Sequence, residues 1–115
     1  MGSTQVEKTK KALNEAKTPN PPPHISKKMK EFWRKAFALK IPQAHEVVIF
    51  VQACQAHDRA EQARRILKKE GLTYLDRFQQ PRSRPEVAIE RDNRAQFVRL
   101  LKQIHLHNEY WGNFQ

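Results

Sequence analysis

The chain has 115 residues, the size of one small domain or of a smaller domain with tails. Twenty-two Lys and Arg against twelve Asp and Glu give a formal net charge of +10, while only 38% of residues are apolar. Three glycines (Gly2, Gly71 and Gly112) leave no way to write a G-x-x-x-x-G-K phosphate loop or a G-x-G-x-x-G fingerprint, which argues against a nucleotide-binding α/β enzyme. The longest apolar run, Val47-Val48-Ile49-Phe50-Val51, falls far short of the roughly 20 residues of a membrane span. Cys54 is the one cysteine, so no intrachain disulfide can form. The N-terminus has no apolar signal-peptide core, and Val6 stands where a myristoylation pattern needs Ser or Thr. A soluble, intracellular protein with a polyanionic partner is expected, and nucleic acid is the commonest such partner.

Residues 1–23 read as a basic tail and spacer. Lys8 to Lys17 has Ala12, Leu13 and Ala16 as its only apolar face, too short for an isolated helix. Pro19, Pro21, Pro22 and Pro23 then stop any helix and favour an extended spacer, which puts the domain boundary here. The first helix is predicted from Lys27 to about Leu39, with Ser26 as its N-cap. Met29, Phe32, Trp33, Ala36, Phe37 and Leu39 gather on one side, and Lys27, Lys30 and Arg34 lie opposite, flanked by Lys28 and Lys35. Residues 27–40 hold six bases and one acid, a local balance of +5.

Ile41-Pro42 ends that helix. A second is predicted from about Gln43 to Glu70, closed by Gly71 as a left-handed C-cap, with Lys68 and Lys69 complementing its dipole. Ile49, Ala53, Ala56, Ala60, Ala63 and Leu67 recur along it at alternating steps of four and three. Such a seam of small residues lets two helix axes approach closely, in an antiparallel hairpin or in a subunit contact. Leu72 to Leu75 favours an extended segment and Asp76 to Pro81 a turn, so a small β-hairpin or irregular arm is expected. Pro85 opens a third helix to about His105, with Ala88, Ala95, Val98, Leu101 and Ile104 as its apolar stripe and Phe97 beside it. Residues 108–115 form a tail with Tyr110, Trp111 and Phe114.

Little in the sequence points to catalysis or metal binding. His105 and His107 are two apart, a spacing that does not face both along one side of a helix, and zinc lacks ligands. Cys54 lies near the seam and reads as a buried structural thiol. Glu86, Glu90 and Asp92 sit among Arg91 and Arg94 at ion-pair spacings, and Asp58 beside Arg59 reads likewise, with some prospect of a subunit contact. The basic residues are the functional candidates. The first cluster is Lys27, Lys28, Lys30, Arg34, Lys35 and Lys40. Arg64, Arg65, Lys68 and Lys69 form the second, and Arg77, Arg82 and Arg84 the third. Lys predominates in the first, which suits phosphate contact more than base reading. Tyr110, Trp111 and Phe114 either fold back on the core or anchor a partner.

From His24 to about Leu106 the order of features resembles the phage terminase small subunit. His24-Ile25-Ser26 precedes a helix with Phe32-Trp33-Arg34. A long helix follows with Ala56-His57-Asp58-Arg59-Ala60 and Ala63-Arg64, closing on Lys69-Glu70-Gly71-Leu72-Thr73. Next come Asp76-Arg77-Phe78, Gln80-Pro81 and Pro85-Glu86-Val87-Ala88. The last helix carries Glu90-Arg91-Asp92-Asn93-Arg94-Ala95 and Leu100-Leu101. Gly is frequent in such proteins where Gln79 stands, and His-Pro where this chain has Arg84-Pro85. Their final helix often ends in a Leu-Gly-Leu-like step, here Ile104-His105-Leu106.

The resemblance implies an all-α, ring-forming protomer: a long helical hairpin core, an N-terminal basic helix, and a short extended arm between the last two helices. Residues 24–107 would be the DNA-binding and oligomerisation domain. Ile49, Ala53, Ala56, Ala60, Ala63 and Leu67 would be the oligomer interface. Such a protein works in the host cell cytoplasm without a cofactor or catalysis of its own. It binds double-stranded viral DNA for the large terminase subunit, which carries the ATPase and nuclease. The rival readings are a small helical DNA-binding transcriptional regulator and a metal-dependent nuclease using Glu90 or Asp92.

Overall fold

The computed structural model describes residues 19–38 and 42–104. It contains three helices and one two-stranded antiparallel sheet: α1 (Lys27–Ala38), α2 (Ala44–Glu70), β1 (Thr73–Leu75), β2 (Pro81–Ser83) and α3 (Pro85–Gln103). None of the described helices is long and apolar enough to cross a membrane. The proposed Lys8–Lys17 turn, Leu39, Lys40, His105, His107 and the three C-terminal aromatics lie outside the described residues.

Ser26 caps α1, its Oγ accepting the Met29 N–H at 3.2 Å. The Ser26 N–H donates to Asp58 Oδ2 at 2.8 Å, tying the start of α1 to the middle of α2. Met29, Phe32, Trp33, Ala36 and Phe37 are buried, as the helical periodicity predicts. The Trp33 indole N–H reaches back to the Pro19 carbonyl at 2.8 Å, which holds the proline-rich segment against this helix.

At the start of α2, the Gln43 N–H donates to the Glu46 carboxylate at 3.1 Å, the returning half of a capping box. At its end the Gly71 N–H donates to the Leu67 carbonyl at 2.8 Å. Gly71 has φ 87° and ψ 175°, so it is not the left-handed C-cap the sequence suggests. The chain passes straight from helix into strand, which demands an extended ψ, and this region is essentially open to glycine alone.

α2 and α3 pack antiparallel. Arg94 donates to Glu61 at 2.9 Å, and the His57 and Phe97 rings sit 5.1 Å apart. Ala53, Ala56, Ala60 and Ala63 are buried within the chain, so the alanine seam is used by this intrachain hairpin. Ile49 and Leu67, at its two ends, stay half-buried. In α3 the buried residues are Phe97, Leu100 and Leu101, followed by Ile104, whereas Ala95 is exposed and Ala88 and Val98 only half-buried. The stripe is thus rotated from the expected one. Phe97 and Ala95 lie on opposite sides of the helix, and the phenyl ring carries far more apolar area to remove from water.

The main core sits where α1 lies over the α2–α3 pair. Phe50 is its hub, with ring centroids 5.4 Å from Phe32, 5.1 Å from Trp33 and 4.8 Å from Phe37. Cys54 is fully buried beside them. Burial, then the nearby Asp58 charge, pushes its thiol pKa far up, so it stays protonated and inert. Toward the other end Ala60 and Ala63 are buried and the Arg94–Glu61 bond joins the helices before the chain runs into the β-hairpin.

There Thr73 pairs with Ser83, Tyr74 with Arg82 and Leu75 with Pro81. Asp76 organises the turn. Its Oδ1 accepts the Phe78 and Gln80 N–H groups at 2.8 and 3.0 Å, and its Oδ2 accepts Arg82 Nε at 3.0 Å. Gln79, where glycine is frequent in the family resembled, takes φ 61°.

Two stability predictions follow from the core. Phe50→Ala should cost about 3–5 kcal/mol, read as a lower urea midpoint at unchanged slope. His57 is buried, with its Nδ1 3.6 Å from Asp58 Oδ1. Burial lowers its pKa, and Asp58 and Glu61 offset this only in part. The folded chain therefore resists protonation more than the unfolded one does. Stability should be full above about pH 6.5 and fall as acid protonates the unfolded chain first. His57→Gln should flatten that fall in urea titrations between pH 8 and 5.

Candidate nucleic-acid interface

Helical spacing sorts the charges of α2. Asp58, Glu61, Gln62, Arg65, Lys68 and Lys69 recur at steps of three and four, so they share one face. Ala56, Ala60 and Ala63 occupy the opposite face. At the start of α1, Lys27 and Lys28 line a groove whose other wall includes Asp58, Gln62 and Arg65. Gln55 bridges to His24 at the rim, Nε2 to Nε2, at 2.8 Å. The first and second basic clusters therefore meet at this groove, and Lys68 and Lys69 continue the same face toward the end of α2. Arg64 lies about a quarter-turn aside. Arg34 and Lys35 are exposed farther along α1, Lys30 is half-buried, and Lys40 lies outside the described residues.

The third cluster is used differently. Arg82 is held by Asp76, the Arg77 guanidinium lies 4.9 Å from the Phe78 ring centre, and that of Arg84 lies 5.9 Å from the Tyr74 ring. These arginines brace the arm. The backbone N–H of Gln80, then the Arg82 side chain, hold the Asp76 carboxyl below its usual range.

The acids are largely turned to internal tasks. Asp58 turns to the start of α1, its Oδ2 accepting the Ser26 N–H, rather than to Arg59. Glu61 bonds Arg94 across the hairpin, and that hydrogen bond is the largest influence lowering its pKa. Glu90 lies 3.9 Å from Arg94 four positions on, the helix-surface pair expected, whereas Asp92 pairs with its immediate neighbour Arg91 at 3.1 Å. Lys27, Arg34, Arg64, Arg65, Lys68 and Lys69, by contrast, are exposed and make no ion pair among the described residues.

Two ties escaped the sequence reading. Asp58 to the Ser26 N–H, and Glu61 to Arg94, each join residues about a third of the chain apart. For the second, an antiparallel register of the two seams would have placed Glu61 opposite Arg94.

The description "Phage terminase, small subunit" belongs to the family model that matches residues 26–109. No curated protein matches the chain. Nor does any solved structure. The matched span takes in all three helices and the arm, and with this match the chain belongs to the phage terminase small-subunit family, whose members are non-catalytic.

Proposed function

We propose that this chain assembles into a ring that binds double-stranded viral DNA and delivers it to the large terminase subunit, in the host cell cytoplasm. Residues 24–107 form the DNA-binding and oligomerisation domain, 1–23 a basic tail and spacer, and 108–115 an aromatic tail that serves partner contact through Tyr110, Trp111 and Phe114. The observation that carries the reading is the sorting of charge within a terminase small-subunit chain. Six cations on α1 and α2 stand exposed without ion pairs among the described residues, while Asp58 and Glu61 serve the fold.

Exposed lysines and arginines along one face suit a duplex backbone. Each phosphate they neutralise releases condensed counterions, which drives binding and makes it salt-dependent. One protomer offers few such contacts. A ring repeats them, so weak contacts add through effective concentration. The four seam alanines are covered by α3, so Ile49 and Leu67 are the parts of that stripe that remain for a neighbouring copy.

Fluorescence anisotropy with labelled duplex DNA across a salt series tests this. Replacing Arg65, Lys68 and Lys69 together by Ala should weaken binding and flatten the log K against log salt slope by about 0.9 per lost phosphate contact, so about 3 in all. Arg91→Ala, which removes a cation already paired with Asp92, should leave the slope unchanged. Equal slopes for the triple variant and the wild type would refute this surface as the DNA contact.

A further inference from the structure

Asp58 is an acid on a surface otherwise suited to a polyanion. It lines the groove between α1 and α2 together with Lys27, Lys28, Gln62 and Arg65, and its side chain is 25% exposed. By Coulomb's law alone, a carboxylate there repels phosphate and offsets one of the flanking cations. Both of its oxygens nevertheless face partners within the chain. Oδ2 accepts the Ser26 N–H at 2.8 Å, and Oδ1 lies 3.6 Å from His57 Nδ1.

The bond to Ser26 supplies something the core does not. Ile25 and Met29 are buried and keep the start of α1 on the α2–α3 pair, but apolar contact is non-directional and does not by itself fix how a helix is turned about its axis. A hydrogen bond has a narrow range of distance and angle, and one to a carboxylate is stronger than one between neutral groups. Ser26 immediately precedes Lys27 and Lys28, so holding its backbone sets where those two side chains leave α1. Asp58 stands seven positions before Arg65, about two turns along the same face of α2. One bond thus sets the spacing between cations carried by two helices. Asp58 also brings negative charge to the N-terminal end of α1, the end that attracts anions. That end is satisfied from within, which leaves an incoming phosphate to the side chains of Lys27 and Arg65.

We propose that Asp58 is a positioning residue of the DNA interface: its bond to the Ser26 N–H holds Lys27 and Lys28 at the distance from Arg65 at which one duplex backbone engages both helices. The proposal rests on the DNA-binding reading above and deepens it. It inverts the simple electrostatic expectation, because removing a negative charge from this surface weakens binding to a polyanion.

The test uses the full chain and labelled duplex DNA across a salt series. Lys27→Ala and Arg65→Ala should each flatten the log K against log salt slope by about 0.9. Asp58→Ala should weaken binding on the order of fivefold and flatten the slope by about 2, one contact each for Lys27 and Lys28. Adding Lys27→Ala to Asp58→Ala should then cost little more, the non-additivity of residues that act as a unit. Asp58→Asn keeps an acceptor oxygen for Ser26 and removes the charge, so it should bind at least as tightly as wild type with the wild-type slope. In proton–nitrogen NMR spectra the Ser26 amide should keep its hydrogen-bonded shift in Asp58→Asn and lose it in Asp58→Ala. If Asp58→Ala unfolds, Asp58→Leu, which keeps bulk without an acceptor, carries the same test. Tighter binding by Asp58→Ala with an unchanged slope makes Asp58 a repulsive charge only; it overturns the proposal and leaves the DNA reading standing. Binding by Asp58→Asn as weak as that of Asp58→Ala overturns it as well. Unchanged slopes for both Lys27→Ala and Arg65→Ala sink the DNA reading of this groove and the proposal with it.

Discussion

The close approach of α2 and α3 along a line of alanines governs the rest of the molecule. Ala53, Ala56, Ala60 and Ala63 are buried and give little bulk at the seam, which lets the two helix axes approach closely. Such a seam buries little apolar area per turn, and area is what stabilises. The missing area comes from α1, whose aromatic face meets Phe50 and Phe97. The stability of the hairpin is therefore concentrated at the end where α1 lies. Toward the arm, the Arg94–Glu61 hydrogen bond and the slim side chains carry the contact.

This division has electrostatic consequences. A chain with an excess of ten positive charges must keep its few acids from neutralising the cations that face outward. It does so by giving the acids short-range duties: Asp58 holds the start of α1, Glu61 fixes the helix register, Asp76 closes the turn and Glu46 completes a cap. Self-repulsion among the remaining cations opposes folding, and a polyanion relieves it. On the proposed function folding and binding would be linked, since a phosphate at the α1–α2 face would relieve part of this repulsion.

Local structure was legible in the sequence because its causes are local. The Ser26 cap, the aromatic face of α1, the end of α2 at Gly71 and the hairpin between Leu72 and Arg84 all depend on residues within a few positions of one another. The apolar stripe of α3 was harder. Periodicity admits both the Ala95 side and the Phe97 side, and the choice rests on which ring finds partners across the core. The site was legible as composition more than as geometry. The three basic clusters are plain in the sequence. Their different fates are not, because the meeting of Lys27, Lys28 and Arg65 depends on the Asp58 tie, and the bracing of the arm depends on Asp76.

The seam also limits how copies of this protein can associate. A stripe of small residues would offer a second copy little once α3 lies on it, so any association of copies would use surfaces the hairpin leaves open. The open apolar side chains are not spread evenly. Leu72, Tyr74, Leu75 and Phe78 stand on the arm and Ile89 on the adjoining turn of α3, while Val48 is the exposed large apolar side chain at the aromatic-core end among the described residues. Surfaces at the arm end are the least supported from within, and they gain most from a neighbour. An assembly built through them would order the thin end of every protomer and space the α1–α2 cations at regular intervals. In such an assembly the same contacts that complete the fold also set the geometry of charge.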